Sequence, residues 1–171
     1  MQAGDVMSKR VVSVRPDASI LEAGELMLKH DISGLPVVDA QGRLVGIVTE
    51  RDFLRPARRN SKYRRPRWLE VVTGRAPMIS GEAEPSARRI ADVMTANPVT
   101  VTAATPLEEC VRCMDQHEVK RLPVVEEGRL IGIIARADLI RALVQSLRKE
   151  REELRRMTEV ERQSWLHRTR P

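Results

Sequence analysis

Apolar positions along the chain fall into short runs that occur twice, in the same order. Val11-Val12-Ser13-Val14 alternates near the period of a half-buried strand, and Val99-Thr100-Val101-Thr102 repeats it. Ile20, Ala23 and Met27 then recur at i, i+3, i+7, which places them on one face of a helix, as do Leu107, Cys110 and Met114. Ser19 with Glu22 three residues on predicts a capping box at the start of the first of these helices. Thr105, Pro106 and Glu108 predict the same for the second, with Pro106 as its first helical residue. Leu35-Pro-Val-Val38 and Leu122-Pro-Val-Val125 are apolar strands. The turns Asp39–Gly42 and Glu126–Gly128 lead each into another strand, Arg43–Val48 and Arg129–Ile134. Asp52 and Asp138 then open helices running through Phe53-Leu54 and Leu139–Leu143. Each unit reads β-α-β-β-α.

The two units are copies. Residues 6–55 align with 93–141 at an offset of 87, which becomes 86 after a one-residue deletion near Gln41, with 18 identities over 49 paired positions. Val6-Met7 returns as Val93-Met94, Gly42-Arg-Leu-Val-Gly-Ile47 as Gly128-Arg-Leu-Ile-Gly-Ile133, and Asp52 as Asp138. A structural unit used twice is implied. One unit of about 50 residues is short of a self-sufficient core, so the copies are expected to pack on each other with pseudo-two-fold symmetry and to leave clefts between them. The expected organisation is repeat 1 over 1–55, a linker or insertion with one short helix over 56–90, repeat 2 over 91–143 and a charged helix or tail over 144–171. The fold class is α/β, of the α+β kind, with a long C-terminal helix.

Composition narrows the possibilities. Only 2% of residues are aromatic, so the core is aliphatic. No apolar run approaches the roughly 18 residues of a membrane span. Met1-Gln-Ala-Gly-Asp5 has neither the basic nor the apolar region of a signal peptide, so a cytoplasmic location is expected. Cys110 and Cys113 form C-x-x-C, a spacing shared by redox pairs and half zinc sites. A zinc site needs a second ligand pair and none has suitable spacing, so the pair reads as core, one helical turn apart. No metal site is expected. His30 and His117 occupy equivalent positions near helix ends, where a histidine serves the terminal carbonyls. The net charge is +6, with seven basic residues and no acid between Phe53 and Leu69. Such a run reads as a solvated linker or an acidic-partner contact in preference to a nucleic-acid site. No catalytic triad, Walker loop or H-E-x-x-H motif appears, and no enzyme is expected.

The doubled pattern of V-M-[ST], V-x-V, L-P-V-V, G-R-L-[VI]-G-I and a following Asp resembles the CBS domain, named after cystathionine β-synthase, which occurs in pairs called Bateman modules. The resemblance covers both repeats and extends to small stand-alone bacterial CBS-pair proteins. It implies a regulatory module that takes adenosine-containing ligands (AMP, ADP, ATP, S-adenosylmethionine, sometimes NAD) between repeats, requires no cofactor, dimerises through its helices and signals to an effector protein. In the family, Ser/Thr-x-x-Asp after the third strand holds the ribose; here Thr49-Glu-Arg-Asp52 matches it. A carboxylate accepts from both ribose hydroxyls, and such charge-assisted bonds are strong. A helix N-cap is the plainer reading of Asp52. The second copy reads Ala135-Arg-Ala-Asp138 and lacks the hydroxyl, so unequal sites are expected. The resemblance places Val101, Thr102 and Val119 about the base of the first site, with Lys120, Arg121 and Arg51 toward the phosphates. The second, weaker site takes Asp138, Arg136, Val14, Ile32 and Ser33. The competing reading is a dimeric scaffold without a physiological ligand, whose basic loop and tail contact a partner or nucleic acid.

Overall fold

The structure, a computed structural model, describes residues 1–54 and 89–168. The basic run at 55–67 lies outside the described residues, as do residues 56–88 of the insertion in which one short helix is expected. In chain order the elements are α1 (Ala3–Val6), α2 (Ile20–His30), β1 (Gly34–Val38), β2 (Leu44–Thr49), α3 (Glu50–Leu54), a 3-10 turn (Ile90–Asp92), β3 (Thr95–Ala96), α4 (Leu107–Gln116), β4 (Arg121–Glu126), β5 (Arg129–Ala135) and α5 (Arg136–Arg168). β1, β2 and β3 form an antiparallel sheet in that order, and β4 pairs antiparallel with β5.

The strands expected at 11–14 and 99–102 are each reduced to a single parallel bridge, Val14 to Val37 and Val101 to Val124. Val14 donates to the Pro36 carbonyl at 3.0 Å and accepts from Val38 at 3.0 Å. The next rung toward the N-terminus would need an N–H from Pro36, and the next toward the C-terminus one from Pro16; proline supplies neither. Pro123 stops the second copy in the same way on its N-terminal side.

The hairpins follow the one-residue deletion. In repeat 2, Glu126 pairs with Arg129, and Glu127 and Gly128 both have positive φ (49° and 77°), a two-residue turn of the I′ kind. Repeat 1 has one residue more. There Asp39 Oδ1 accepts from the N–H groups of Gln41 (2.9 Å) and Arg43 (2.8 Å), and these backbone bonds, that of Arg43 foremost, pull its carboxyl below the ordinary value.

At the α2 start Ser19 Oγ accepts from the Glu22 N–H at 3.1 Å, which is the N-cap half of the expected capping box; the Glu22 carboxylate does not return the bond. The α4 start departs from the expectation. Pro106 is the N-cap, in register with Ser19, and Leu107 is the first helical residue. Thr105 Oγ1 accepts instead from the Thr102 N–H at 3.0 Å, and its carbonyl accepts from Ala3, so the hydroxyl is spent on the preceding turn. His30 ends α2 and His117 is the C-cap of α4.

The two repeats exchange their leading segments. One core cluster joins Val14, Ala23, Met27, Leu35, Val37 and Val48 to Ile90, with Val93 and Met94 packed against it. The other joins Val101, Cys110, Met114, Leu122, Val124 and Ile134 to Ala3, with Val6 and Met7 against it. Ser8 exchanges both backbone bonds with Ile133 (2.9 and 3.1 Å), while Thr95 and Ala96 pair with Ile47 and Gly46 on β2. Met7 lies where a Cβ on Gly132 would fall, and Met94 where a Cβ on Gly46 would fall. Leu44 donates to the Gly128 carbonyl and Leu130 to that of Gly42, at 3.0 and 3.3 Å. These reciprocal contacts between sequence-equivalent residues define a pseudo-two-fold axis between Arg43 and Arg129. Cys110 is buried and Cys113 half-buried, both free, on the core side of α4; burial, with the neighbouring Cys113, pushes the Cys110 thiol up.

Candidate functional site

β2 runs into α3 without a loop, and that junction builds the first half of the site. Thr49 is the last strand residue, and Asp52 is the third residue of α3. The expectation that the aspartates open their helices is therefore corrected: the helices begin at Glu50 and Arg136, and each carboxylate reaches back to the end of the strand. Asp52 Oδ2 accepts from both the N–H and the Oγ1–H of Thr49, each at 2.8 Å. One carboxylate oxygen thus satisfies a backbone donor that the helix start leaves open and fixes the threonine rotamer. In repeat 2, Asp138 Oδ2 accepts from the Ala135 N–H at 2.8 Å, and Oδ1 accepts from Arg141 at 2.6 Å. Asp138 is buried. The backbone half of the arrangement is the same in both copies; the hydroxyl exists only in the first.

Each junction is tied to the connection that precedes the repeat's first hairpin strand. Glu50 donates to the Ser33 carbonyl (3.2 Å), and Arg136 donates to the Lys120 carbonyl (3.1 Å). Ile32 and Ser33 consequently stand beside Thr49, and Val119 and Lys120 beside Ala135. Arg121 crosses between repeats. Its Nη2 donates to Ser33 Oγ at 2.5 Å, and its guanidinium occupies the space a Cβ on Gly34 would take, next to the Thr49 methyl. Burial lowers the Arg121 pKa, with the charge of Glu50 opposing that; the group remains a cation. Arg51 and Arg136 are exposed on the first turns of α3 and α5. Val14 and Val101 are buried at their bridges, and Thr102 turns its hydroxyl to Thr105. Among the described residues, no hydrogen bond joins Val101, Thr102, Val119 or Lys120 to Thr49 or Asp52. The structure brings together Thr49, Asp52, Ser33 and Arg121; Ser33, expected at the second site, thus stands at the first junction, and Lys120, expected at the first, is bonded to the junction of the second.

Three participants went unread in the sequence: Gly34, Glu50 and Arg141. Gly34 carried a signal, because it is the repeat mate of Arg121 at an offset of 87. The smallest residue opposite one of the largest is what crowding near a pseudo-two-fold axis requires. Among the described residues there is no cluster of three or more side chains fit to hold a metal, and no helix long and apolar enough to cross a membrane.

A doubled α+β unit with exchanged leading segments and a hydroxyl–carboxylate pair at a strand-to-helix junction is the architecture of a paired-repeat domain. The family model of the CBS domain matches residues 3–58 and 90–145, and the chain belongs to that family. It is 33% identical over 135 residues to the CBS domain-containing protein YhcV of Bacillus subtilis, covering 79% of this chain and 80% of that one. The crystal structure of CBSX2 in complex with AMP superposes with a TM-score of 0.64 at 30% identity, covering 84% of this chain and 96% of that one. The CBS domain pair of protein MJ0100, in complex with 5′-methylthioadenosine and S-adenosyl-L-methionine, gives 0.62 at 25% identity, covering 84% and 99%. The chain spans 23% of the length of a 33% identical inosine-5′-monophosphate dehydrogenase from Methanocaldococcus jannaschii and 65% of the full CBSX2 chain of Arabidopsis thaliana.

Proposed function

We propose that this chain is a ligand-sensing regulatory module that binds an adenosine-containing molecule (AMP, ADP, ATP, NAD or S-adenosylmethionine) where Thr49 and Asp52 meet Arg121. The proposal takes residues 1–55 and 91–143 as the two repeats, 56–90 as an insertion and 144–171 as a helical tail. It assigns the module no catalysis and no required cofactor, a cytoplasmic location, a homodimeric state and an effector protein as its reader. The observation that carries it is the pairing of a fixed hydroxyl and carboxylate with a cation from the other repeat. Asp52 suits a ribose diol, and Arg121 suits a phosphate or carboxylate. That relatives of similar fold were crystallised with AMP, and with 5′-methylthioadenosine and S-adenosyl-L-methionine, supports it. Signalling requires that the ligand bind two states unequally, and a cation bridging repeats is placed to make that difference.

A thermal-shift panel with AMP, ADP, ATP, NAD and S-adenosylmethionine tests the reading. A ligand at 100 times its Kd should add about 2.7 kcal/mol, and Asp52→Ala should abolish the gain. No shift from any of the five would leave a dimeric scaffold, the reading that the exposed apolar positions of α5 favour.

A further inference from the structure

Arg121 is anchored in one repeat and held by the other. Its backbone is fixed in β4 opposite Ala135, while its Nη2 donates to Ser33 Oγ at 2.5 Å, 88 positions away. The place it fills is a corner of repeat 1. Gly34 pairs with Thr49, and the Glu50 N–H donates to the Ser33 carbonyl, so β1, β2 and the start of α3 hold the corner by backbone bonds. Gly34 is buried and has no side chain to oppose the guanidinium, and the Thr49 methyl flanks the same space. Burial disfavours the cation there, and the nearby Glu50 carboxylate favours it.

This arrangement is made once in the chain. The repeat mates of Ser33 and Gly34 are Lys120 and Arg121. At the equivalent corner of repeat 2, Lys120 stands in the place of Ser33. The residue that would have to cross from the other side is Gly34, which has nothing to send. Repeat 1 therefore receives a cation that it cannot return.

A hydroxyl is a weak holder of a guanidinium. It accepts at one point, whereas a phosphate carries charge and accepts two parallel N–H bonds. Asp52 lies at the same junction, bonded to Thr49. A ligand whose sugar met Asp52 would bring a phosphate on that sugar into competition with Ser33 for Arg121. An anion that reached Arg121 in its present place would also come against the Glu50 carboxylate. Both effects favour release of the guanidinium from Ser33 toward the phosphate.

We propose that Arg121 is a latch between the repeats, held on Ser33 in the ligand-free chain and drawn off it by a 5′-phosphate, so that the site answers adenosine phosphates and not uncharged adenosine derivatives. This rests on the adenosine-binding reading above and adds to it the charge that the ligand must carry and the bond that it must break. Breaking that bond is the difference between the two states that a signal requires. An uncharged ligand occupies the site and leaves the repeats tied. A closed latch also lowers the apparent affinity for a phosphate ligand, because only the open fraction of chains is ready to bind it.

Calorimetric titration with AMP and with adenosine, on the parent chain, Ser33→Ala, Arg121→Gln and the double variant, tests the latch. Ser33→Ala removes the acceptor alone, so AMP should bind about threefold to tenfold tighter, and adenosine should stay within about twofold of the parent. A gain, where a hydroxyl that positioned Arg121 or touched the ligand would give a loss, is the mark of a latch. Arg121→Gln should bring AMP down to the affinity of adenosine. In the double variant the Ser33→Ala gain should vanish, since two residues in one bond do not act additively. Unchanged or weaker AMP binding by Ser33→Ala, an equal gain for adenosine, or a gain that persists beside Arg121→Gln would overturn the latch and leave the adenosine-binding reading standing. A parent chain that binds neither AMP nor adenosine would overturn both.

Discussion

Asp52 and Asp138 perform the same backbone task with different surroundings, and the difference reduces to one hydroxyl. Thr49 Oγ1 is held at 2.8 Å from Asp52, while Ala135 offers nothing in that place. Thr49→Val keeps the branched shape of the side chain and the N–H that caps α3, and removes only the hydroxyl. A neutral hydrogen bond is worth about 1 kcal/mol net, so the affinity for the best ligand of the panel should fall about fivefold with little change in stability. Calorimetry on Thr49→Val and on Ala135→Thr, which should move the second site in the opposite direction, measures this. Equal affinities in the parent and Thr49→Val would show that the hydroxyl serves only the helix start. The motif itself was readable at this scale, because Thr-x-x-Asp is local in sequence. The Arg121–Ser33 bond was not, since it spans 88 positions and depends on how the repeats cross.

At the scale of elements, prolines and glycines set the limits. Pro36 and Pro123 sit in buried strands and cannot donate to the segment on their outer side, so the apolar runs before α2 and α4 pair through one residue each. Alternation of side chains predicted strands there because periodicity reports which face is buried and says nothing about which rungs the neighbouring backbone can complete. Gly46 marks the opposite case. A Cβ there would meet Met94 Sδ at 2.5 Å and the Thr95 carbonyl oxygen at 3.1 Å, and Thr95 is itself paired to β2. The methionine can swing away, but the carbonyl is fixed by the ladder. Gly46→Ala should therefore destabilise the protein by about 1–3 kcal/mol, in the range of overpacked cores, as read from urea unfolding. Gly42→Ala provides the comparison: it has open space around it and a φ of 77°, so its cost would be conformational and not steric. The capping of α4 shows a related limit. Thr105 and Ser19 look alike in sequence, but Thr105 is one position early and its carbonyl is claimed by Ala3.

For the whole molecule, the exchange of leading segments makes the two repeats interdependent. Ala3, Val6 and Met7 complete the core around Leu122 and Ile134, and Ile90, Val93 and Met94 complete the core around Leu35 and Val48. Removing residues 1–8 strips a strand pairing and three apolar side chains from the far repeat. The loss should be on the order of 3 kcal/mol at about 1.5 kcal/mol or more for each large buried side chain. Hydrogen exchange should show β4 and β5 losing protection before β1 and β2, while an unchanged melting temperature would contradict the packing. The same interlock would give a ligand that bridged Thr49 and Arg121, as proposed, purchase on both cores at once.

Taken alone, the sequence determined the repeat, most of the helix and strand order within it, the family, and the unequal threonine and alanine that precede Asp52 and Asp138. These are carried by local spacing and by comparison of one half of the chain with the other, and neither requires knowledge of which residues meet. Tertiary structure decided where the pseudo-two-fold axis passes, that each leading segment belongs to the opposite core, that Arg121 lies over Gly34 and reaches Ser33, and that Leu143 and Leu147 on α5 are exposed. An apolar stripe reads the same in sequence whether it packs on its own body or waits for another. Only the position of the body relative to the stripe distinguishes the two, and that position is fixed by contacts between residues far apart in the chain.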